Sequence, residues 1–195
     1  MNERQARRAR SQGGFTLIEL IIASAMGVVL MSALTSVVFT TYQADQMATN
    51  RVNAAGQIRS FQQTAYGDFA TSSVPTAPGG CGTLAQPCAQ GQAIILQGCA
   101  WVSNPALPYG GSWQGRTVTY GWDSTSNVVN RTVSLASPHV SATGVVAFSW
   151  YVDSTAGQTV VVTITATAGT YSQSQEMRFY PRVVSLRPNY VEASC

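Results

Sequence analysis

Phe15-Thr-Leu-Ile-Glu-Leu-Ile-Ile-Ala-Ser-Ala-Met-Gly-Val-Val-Leu-Met-Ser-Ala-Leu-Thr-Ser-Val-Val-Phe39 is the stretch on which the fold turns. No charged residue occurs from Leu20 to Ala44, a run of 25 residues. At about 1.5 Å per residue, a helix of that length crosses a hydrocarbon layer of about 30 Å with some tilt. Arg4, Arg7, Arg8 and Arg10 precede it, and the next arginine is Arg51. Basic residues stay on the cytoplasmic side of a membrane span, so the amino terminus is expected in the cytoplasm and the bulk of the chain beyond the membrane. Two simpler readings compete. A cleaved secretory signal would use Ala23-Ser24-Ala25 as its small-residue site, but the apolar run continues well past Ala25 and carries Glu19 inside it. A plain membrane anchor explains the length but not Glu19, since an acid in lipid costs on the order of 2–3 kcal/mol. An acid at that position calls for a partner.

Gly13-Gly14-Phe15-Thr16-Leu17-Ile18-Glu19-Leu20, behind its basic leader, resembles the processing site of type IV pilins and of the pseudopilins of type II secretion. The resemblance implies that prepilin peptidase cuts after Gly14, that the new terminal residue Phe15 is N-methylated, and that Glu19 serves assembly. It also implies the inner membrane and other minor and major pilins as partners, with the amino terminus cytoplasmic and the globular part periplasmic. The physical logic agrees. Cleavage leaves a charged amine at the edge of an apolar helix, methylation keeps that charge, and Glu19 lies one turn away. Two charges that are each unfavourable in lipid become tolerable as a pair.

The composition excludes several function classes. Charged residues make up only 10% of the chain, against about 25% in an ordinary domain, so charge-driven disorder is excluded. Ser and Thr number 40 and take over the contact with water, while lysine is absent. The net charge of +3 comes from the leader, for beyond Gly14 seven arginines face seven acids. A neutral body is not built to neutralise phosphates, and no nucleic-acid partner is expected. The length, 195 residues, fits one modest domain plus an appendage.

Past the membrane run, Met47, Ala54, Ile58, Phe61, Ala65 and Phe69 recur mostly three or four apart, with polar residues between them. That spacing predicts a helix laying one stripe on a core. The sequence therefore divides into a leader at 1–14, a transmembrane and assembly helix at 15–42, an amphipathic half at 43–70 and a β-rich globular domain at 71–195. One helix is expected from about Phe15 to about Phe69, softened at Gly56. Prolines and glycines after Ser72 break it, and a loop runs to Gly91. Strands are expected at Ala93–Gln97, Arg116–Trp122, Val128–Leu135, Val145–Tyr151, Thr159–Thr167 and Glu176–Leu186. Asp123-Ser-Thr-Ser-Asn127 reads as a hairpin turn between two of them. The class is α+β. The family resemblance implies the same order, a lollipop whose long amino-terminal helix packs its second half on an antiparallel β-sheet. The strands around Tyr120 and Arg131, and the late strand ending Val184-Ser185-Leu186-Arg187, resemble PilW-like minor pilins and, nearly as well, the J-class minor pseudopilins of type II secretion. Arg187-Pro188-Asn189 departs from the Arg-Asn that often closes this strand in such proteins.

Cys81, Cys88, Cys99 and Cys195 all lie on the exported side. An even count in an oxidising compartment favours two disulfides, with three connectivities open. Cys81–Cys88 with Cys99–Cys195 is the preferred pairing, and a zinc site is the runner-up, weakened by the spacing and by the absence of a nearby histidine. His139, after Pro138, reads as a solvated loop residue. No nucleophile turn of the Gly-x-Ser-x-Gly kind and no lysine-bearing phosphate loop occur. No enzyme activity, cofactor, metal or small-molecule substrate is therefore expected. Trp122 and Trp150 fall in strands and read as core. The Gly/Pro/aromatic stretch from Trp101 to Gly115 reads as a loop and is the best candidate contact surface. The expected function is structural: a minor pilin that starts assembly at the filament tip, with a type II secretion pseudopilin, or a tip adhesin or DNA-uptake subunit, as alternatives.

Overall fold

The computed structural model describes residues 14–77, 79–89, 91–103, 111–134, 137–155 and 158–181, with backbone alone at 100–103 and 111–113. The chain divides after Gln46 into two units. Helix α1, Leu17–Ala70, supplies residues to both and continues unbroken through Gly56, where the softening expected from the sequence is absent.

In the first unit the apolar side chains from Leu17 to Phe39 are exposed on every side of the helix. Such a helix belongs in lipid or among other helices. It is long and apolar enough to cross a membrane. Five of its hydroxyls are satisfied within the helix. Ser24 donates to the Ile21 carbonyl, Ser32 to Val29, Thr35 to Met31, and both Thr40 and Thr41 to Val37. No water is needed to satisfy these protons, as an apolar solvent requires.

In the second unit, α1 buries Ala54, Ile58, Phe61, Ala65, Asp68 and Phe69 on one face. Met47, placed in this stripe from its spacing, is instead exposed. Seven strands follow among the described residues: β1 Ile94–Ser103, β2 Gly111–Asp123, β3 Val128–Val133, β4 His139–Thr143, β5 Val145–Asp153, β6 Thr159–Ala168 and β7 Tyr171–Phe179. They form two antiparallel sheets, β1-β2-β3-β4 and β5-β6-β7, where the sequence suggested one. The switch between sheets occurs at Gly144, whose φ of +66° sits in the left-handed region and whose missing Cβ leaves room for the Thr167 carbonyl. The Thr167 N–H donates to the Gly144 carbonyl at 2.8 Å, tying the corner to the end of β6.

The β2–β3 hairpin forms where the turn signal placed it, with Trp122 opposite Val129 and Tyr120 opposite Arg131. Asp123 closes the turn by accepting from the Thr125 N–H at 2.9 Å and the Ser126 hydroxyl at 2.7 Å, and Asn127 takes φ +55°. Three strand expectations need correction. His139 opens strand β4 rather than lying in a loop, although its side chain is exposed. The stretch Trp101–Gly115 is strand at both ends, with Trp101 paired to Trp113, and residues 104–110 lie outside the described residues. The last described strand begins at Tyr171 rather than Glu176 and ends at Phe179, so Tyr180 and Pro181 fall outside it, and the rest of the expected strand, 182–186, lies outside the described residues.

Phe61 knits the core together. Its ring meets Tyr120 edge-on at 5.4 Å, Phe148 at 5.8 Å and Phe179 at 6.3 Å, so one helix residue touches both sheets. Phe69 stacks on Phe179 at 4.4 Å. Trp150 is wholly buried, and Trp122 packs against the cluster while its indole N–H donates to the Val145 carbonyl. Both tryptophans are thus part of the packing, as their strand positions implied.

Candidate functional site

Gly14, Phe15 and Thr16 lead into α1 without helical structure. Thr16 is the residue that starts the helix. Its carbonyl accepts from the Glu19 and Leu20 N–H groups at 3.1 and 3.2 Å, and its hydroxyl oxygen accepts from the Glu19 N–H at 3.4 Å. Thr-x-x-Glu is the spacing of a capping box, in which the threonine meets an otherwise orphaned helix N–H. Glu19 thus lies in the first turn, where the positive end of the helix dipole favours a carboxylate. Among the described residues nothing lies within 4 Å of the place a Gly14 Cβ would occupy, and Phe15 is 80% exposed. The Gly14–Phe15 peptide is an open, non-helical bond, the kind of backbone a protease can take in extended form. Gly14, Phe15 and Glu19 are therefore gathered within the first turn and its lead-in, which the one-dimensional spacing alone already required.

The cysteines lie in the second unit. Cys81 and Cys88 are joined, with Cα atoms 4.9 Å apart. Cys99, on β1, is also disulfide-bonded; Cys195, its expected partner, lies outside the described residues. No group of three or more His, Cys, Asp or Glu side chains is placed to hold a metal among the described residues.

The sequence reading overlooked Asp68. It lies on the core face of the last helical turn and is almost fully buried. Tyr120 and Arg131 are cross-strand partners on β2 and β3, and Arg116 lies four residues before Tyr120, hence on the same face of β2. All three converge on the one carboxylate. Arg116 Nη2 donates to Oδ1 at 2.6 Å, the Tyr120 hydroxyl to Oδ2 at 2.5 Å, and Arg131 to Oδ2 through Nε at 2.6 Å and to Oδ1 through Nη2 at 2.9 Å. Burial pushes the Asp68 carboxyl up, but hydrogen bonds from Arg131 and Tyr120 and the charges of Arg131 and Arg116 outweigh it and hold it below the ordinary 3.8. Burial, reinforced by the hydrogen bond to Asp68, pushes the Tyr120 phenol well above its usual range. The last turn of α1 has no basic residue of its own. Arg116 and Arg131 therefore answer both the carboxylate and the negative end of the helix dipole. One clue was in the sequence: Asp68 stands three residues after Ala65, in phase with the apolar stripe.

This second cluster pins the helix to the four-stranded sheet, and its carboxylate is fully engaged. Chemistry specific to the chain concentrates at the helix start. The family model for the prokaryotic N-terminal methylation motif matches residues 9–35. No curated protein and no solved structure matches the chain. The start of the chain thus carries the N-terminal methylation motif seen in type IV prepilin-like proteins, at the head of a long apolar helix with an α+β fold behind it.

Proposed function

We propose that the chain is a structural minor subunit of a type IV pilus. Prepilin peptidase cuts it after Gly14 and methylates the Phe15 amine, and the subunit then helps to start assembly at the filament tip. The observation that carries this reading is the open Gly14–Phe15 bond with Glu19 in the first helical turn, inside the matched motif. Several features support the finer points. The apolar side chains of residues 17–39 are exposed all round, as a helix needs if it is to lie first in lipid and then among other helices. Disulfides at Cys81–Cys88 and Cys99 fit a domain that matures in the periplasm, with the basic leader left in the cytoplasm. A neutral, charge-poor body suits packing against other pilins better than capture of a polyanion.

Mass spectrometry of the protein from membranes tests the processing. The expected mature chain begins at N-methylated Phe15, and the precursor accumulates when prepilin peptidase is absent or Gly14 is replaced by Val. A mature chain with any other first residue refutes the reading. Deleting the chain separates the two filament systems. Loss of surface pili with secretion intact supports the pilus assignment; loss of secreted enzymes with pili intact moves the subunit to a secretion pseudopilus.

A further inference from the structure

Strand β5 is an edge of the three-stranded sheet. Among the described residues its outer rim is bonded by a loop, residues 82–89 together with Gln92, rather than by another strand. The Cys88 N–H donates to the Trp150 carbonyl at 2.8 Å, the Trp150 N–H to the Cys88 carbonyl at 2.9 Å, and the Val152 N–H to the Gly82 carbonyl at 2.9 Å. The Trp150 indole N–H reaches the Gln92 carbonyl at 3.0 Å. The loop is folded on itself by a small turn in which the Gly82 N–H donates to the Gln86 carbonyl. Gly82 has φ +96°, and a Cβ there would run into Ala77, so the turn is built for glycine. The Cys81–Cys88 disulfide closes this turn beside its attachment to β5.

We infer that the Cys81–Cys88 disulfide is a redox-dependent clasp that holds this loop over the β5 edge and releases the edge when it is reduced. The inference stands apart from the membrane helix and its processing. Three main-chain bonds and one indole bond hold the loop to β5, and the disulfide removes much of the freedom the loop would gain by leaving. Cys88 is wholly buried whereas Cys81 is half-exposed, so a reductant meets Cys81 first. One thiolate of a dithiol attacks Cys81 Sγ, the S–S bond breaks, and Cys88 Sγ leaves with the electron pair and takes a proton. The second thiol, as its thiolate, then attacks the first thiol's sulfur, the mixed disulfide breaks, and Cys81 Sγ leaves with the electron pair and takes a proton. The dithiol ends as a disulfide and the cystine as two thiols, a balanced two-electron exchange. A freed rim leaves the N–H groups of Trp150 and Val152 unpaired, and an open edge is a template for strand pairing. Oxidation thus caps the sheet.

Amide hydrogen exchange on the full chain in detergent micelles tests this. Three forms are compared: oxidised wild type, wild type treated with dithiothreitol, and Cys81→Ala, which keeps the buried Cys88 side chain in place. In both forms lacking the bond, the Trp150 and Val152 amides are expected to exchange at least about tenfold faster, while Val160 to Ile164 of β6 keep their protection. Unchanged protection at Trp150 and Val152 overturns the inference, because the loop then holds without the bond. Protection lost from β6 as well also overturns it, since the bond would then support the whole domain rather than one edge.

Discussion

Replacing Asp68 by Ala removes one carboxylate and leaves three donors facing a space that nothing refills. Four hydrogen bonds end on that carboxylate, three of them from guanidinium groups. At about 1.5–3 kcal/mol for each bond to a charged group, their simple sum would exceed what any single replacement costs. Two facts reduce it. The side chains of Arg116 and Arg131 are 26% and 20% exposed and can regain water when released. The carboxylate also bears a desolvation penalty that disappears with it. Breaking a buried pair costs about 3–5 kcal/mol, and the partial exposure places this one near 3. With an m value of about 2 kcal/mol per molar urea, the unfolding midpoint should fall by about 1.5 M. Tryptophan fluorescence of the full chain in detergent reads this directly, because Trp150 is buried in the same core. The pH dependence gives a second test. A carboxyl held below its ordinary 3.8 in the folded state stabilises fully above that value, and the stabilisation is lost as the pH falls through the lowered one. Asp68→Asn should therefore be less stable at neutral pH and should lack part of the wild-type decline below about pH 4. A midpoint shift under about 0.5 M would refute the argument. So would a double variant, Asp68→Ala with Arg131→Ala, whose loss equals the sum of the two single losses.

Glu19→Ala should leave cleavage after Gly14 intact yet lower the subunit's incorporation into filaments about tenfold or more, seen by immunoblot of sheared filaments against membranes; normal incorporation would refute the pairing role. Tyr120→Phe deletes one bond to Asp68 and should cost about 1.5 kcal/mol in urea unfolding. Because the folded-state phenol is raised, its contribution is complete below its ordinary value of 10 and fades as the pH rises above that, so the variant should lose less stability than wild type under strong alkali. Gly144→Ala forces a side chain into the left-handed region and against the Thr167 carbonyl. It should destabilise by about 2 kcal/mol or more, whereas Gly56→Ala, at an open helical position, should stabilise by about 0.5–1 kcal/mol.

The parts of the fold that could be read from the sequence are those set by local pattern. The helix was expected from about Phe15 to about Phe69 and runs Leu17–Ala70, because an unbroken apolar run and then a three-four stripe leave few alternatives. The alternation in Thr159–Thr167 marks a strand, and β6 buries Val160, Val162, Ile164 and Ala166 on one side, but its first half also buries Thr159 and Val161 on the other, which alternation does not predict. What the sequence hid is set by pairing. Strand β7 opens with Tyr-Ser-Gln-Ser-Gln-Glu, whose alternation gives no apolar face until Met177 and Phe179; its register comes from β6. Strand β4 is five residues of mixed polarity held by β3. The glycines and tryptophans around 101–115 looked like loop, yet the backbone ladder there needs no particular side chain. At the candidate site the contrast is the same. Gly14, Phe15 and Glu19 are close in sequence and so could be read together. Asp68 finds Arg116 and Arg131 at separations of 48 and 63 residues, which no local pattern encodes.

The two acids of α1 just discussed show how one helix sets two different electrostatic problems. Glu19 is in its first turn and Asp68 in its last. The helix dipole favours the first by about 0.3–1 kcal/mol and opposes the second by a similar amount. Asp68 is buried in protein at the unfavourable end, and it is met by two arginines and a phenol from the neighbouring sheet. Glu19 has the favourable end, but a dipole of that strength falls short of the 2–3 kcal/mol that lipid exacts from an acid. The remainder has to come from a full positive charge within reach of the first turn, and the chain carries no lysine or arginine between Arg10 and Arg51. Cleavage between Gly14 and Phe15 would create such a charge four residues from Glu19, on its own chain or a neighbour's. On the proposed reading, processing and assembly would be one electrostatic requirement, because an uncleaved chain would have the acid without its cation. A Gly14→Val precursor should therefore fail to enter filaments even when mature wild-type subunits are abundant in the same membrane, and its recovery in sheared filaments at wild-type level would break this link.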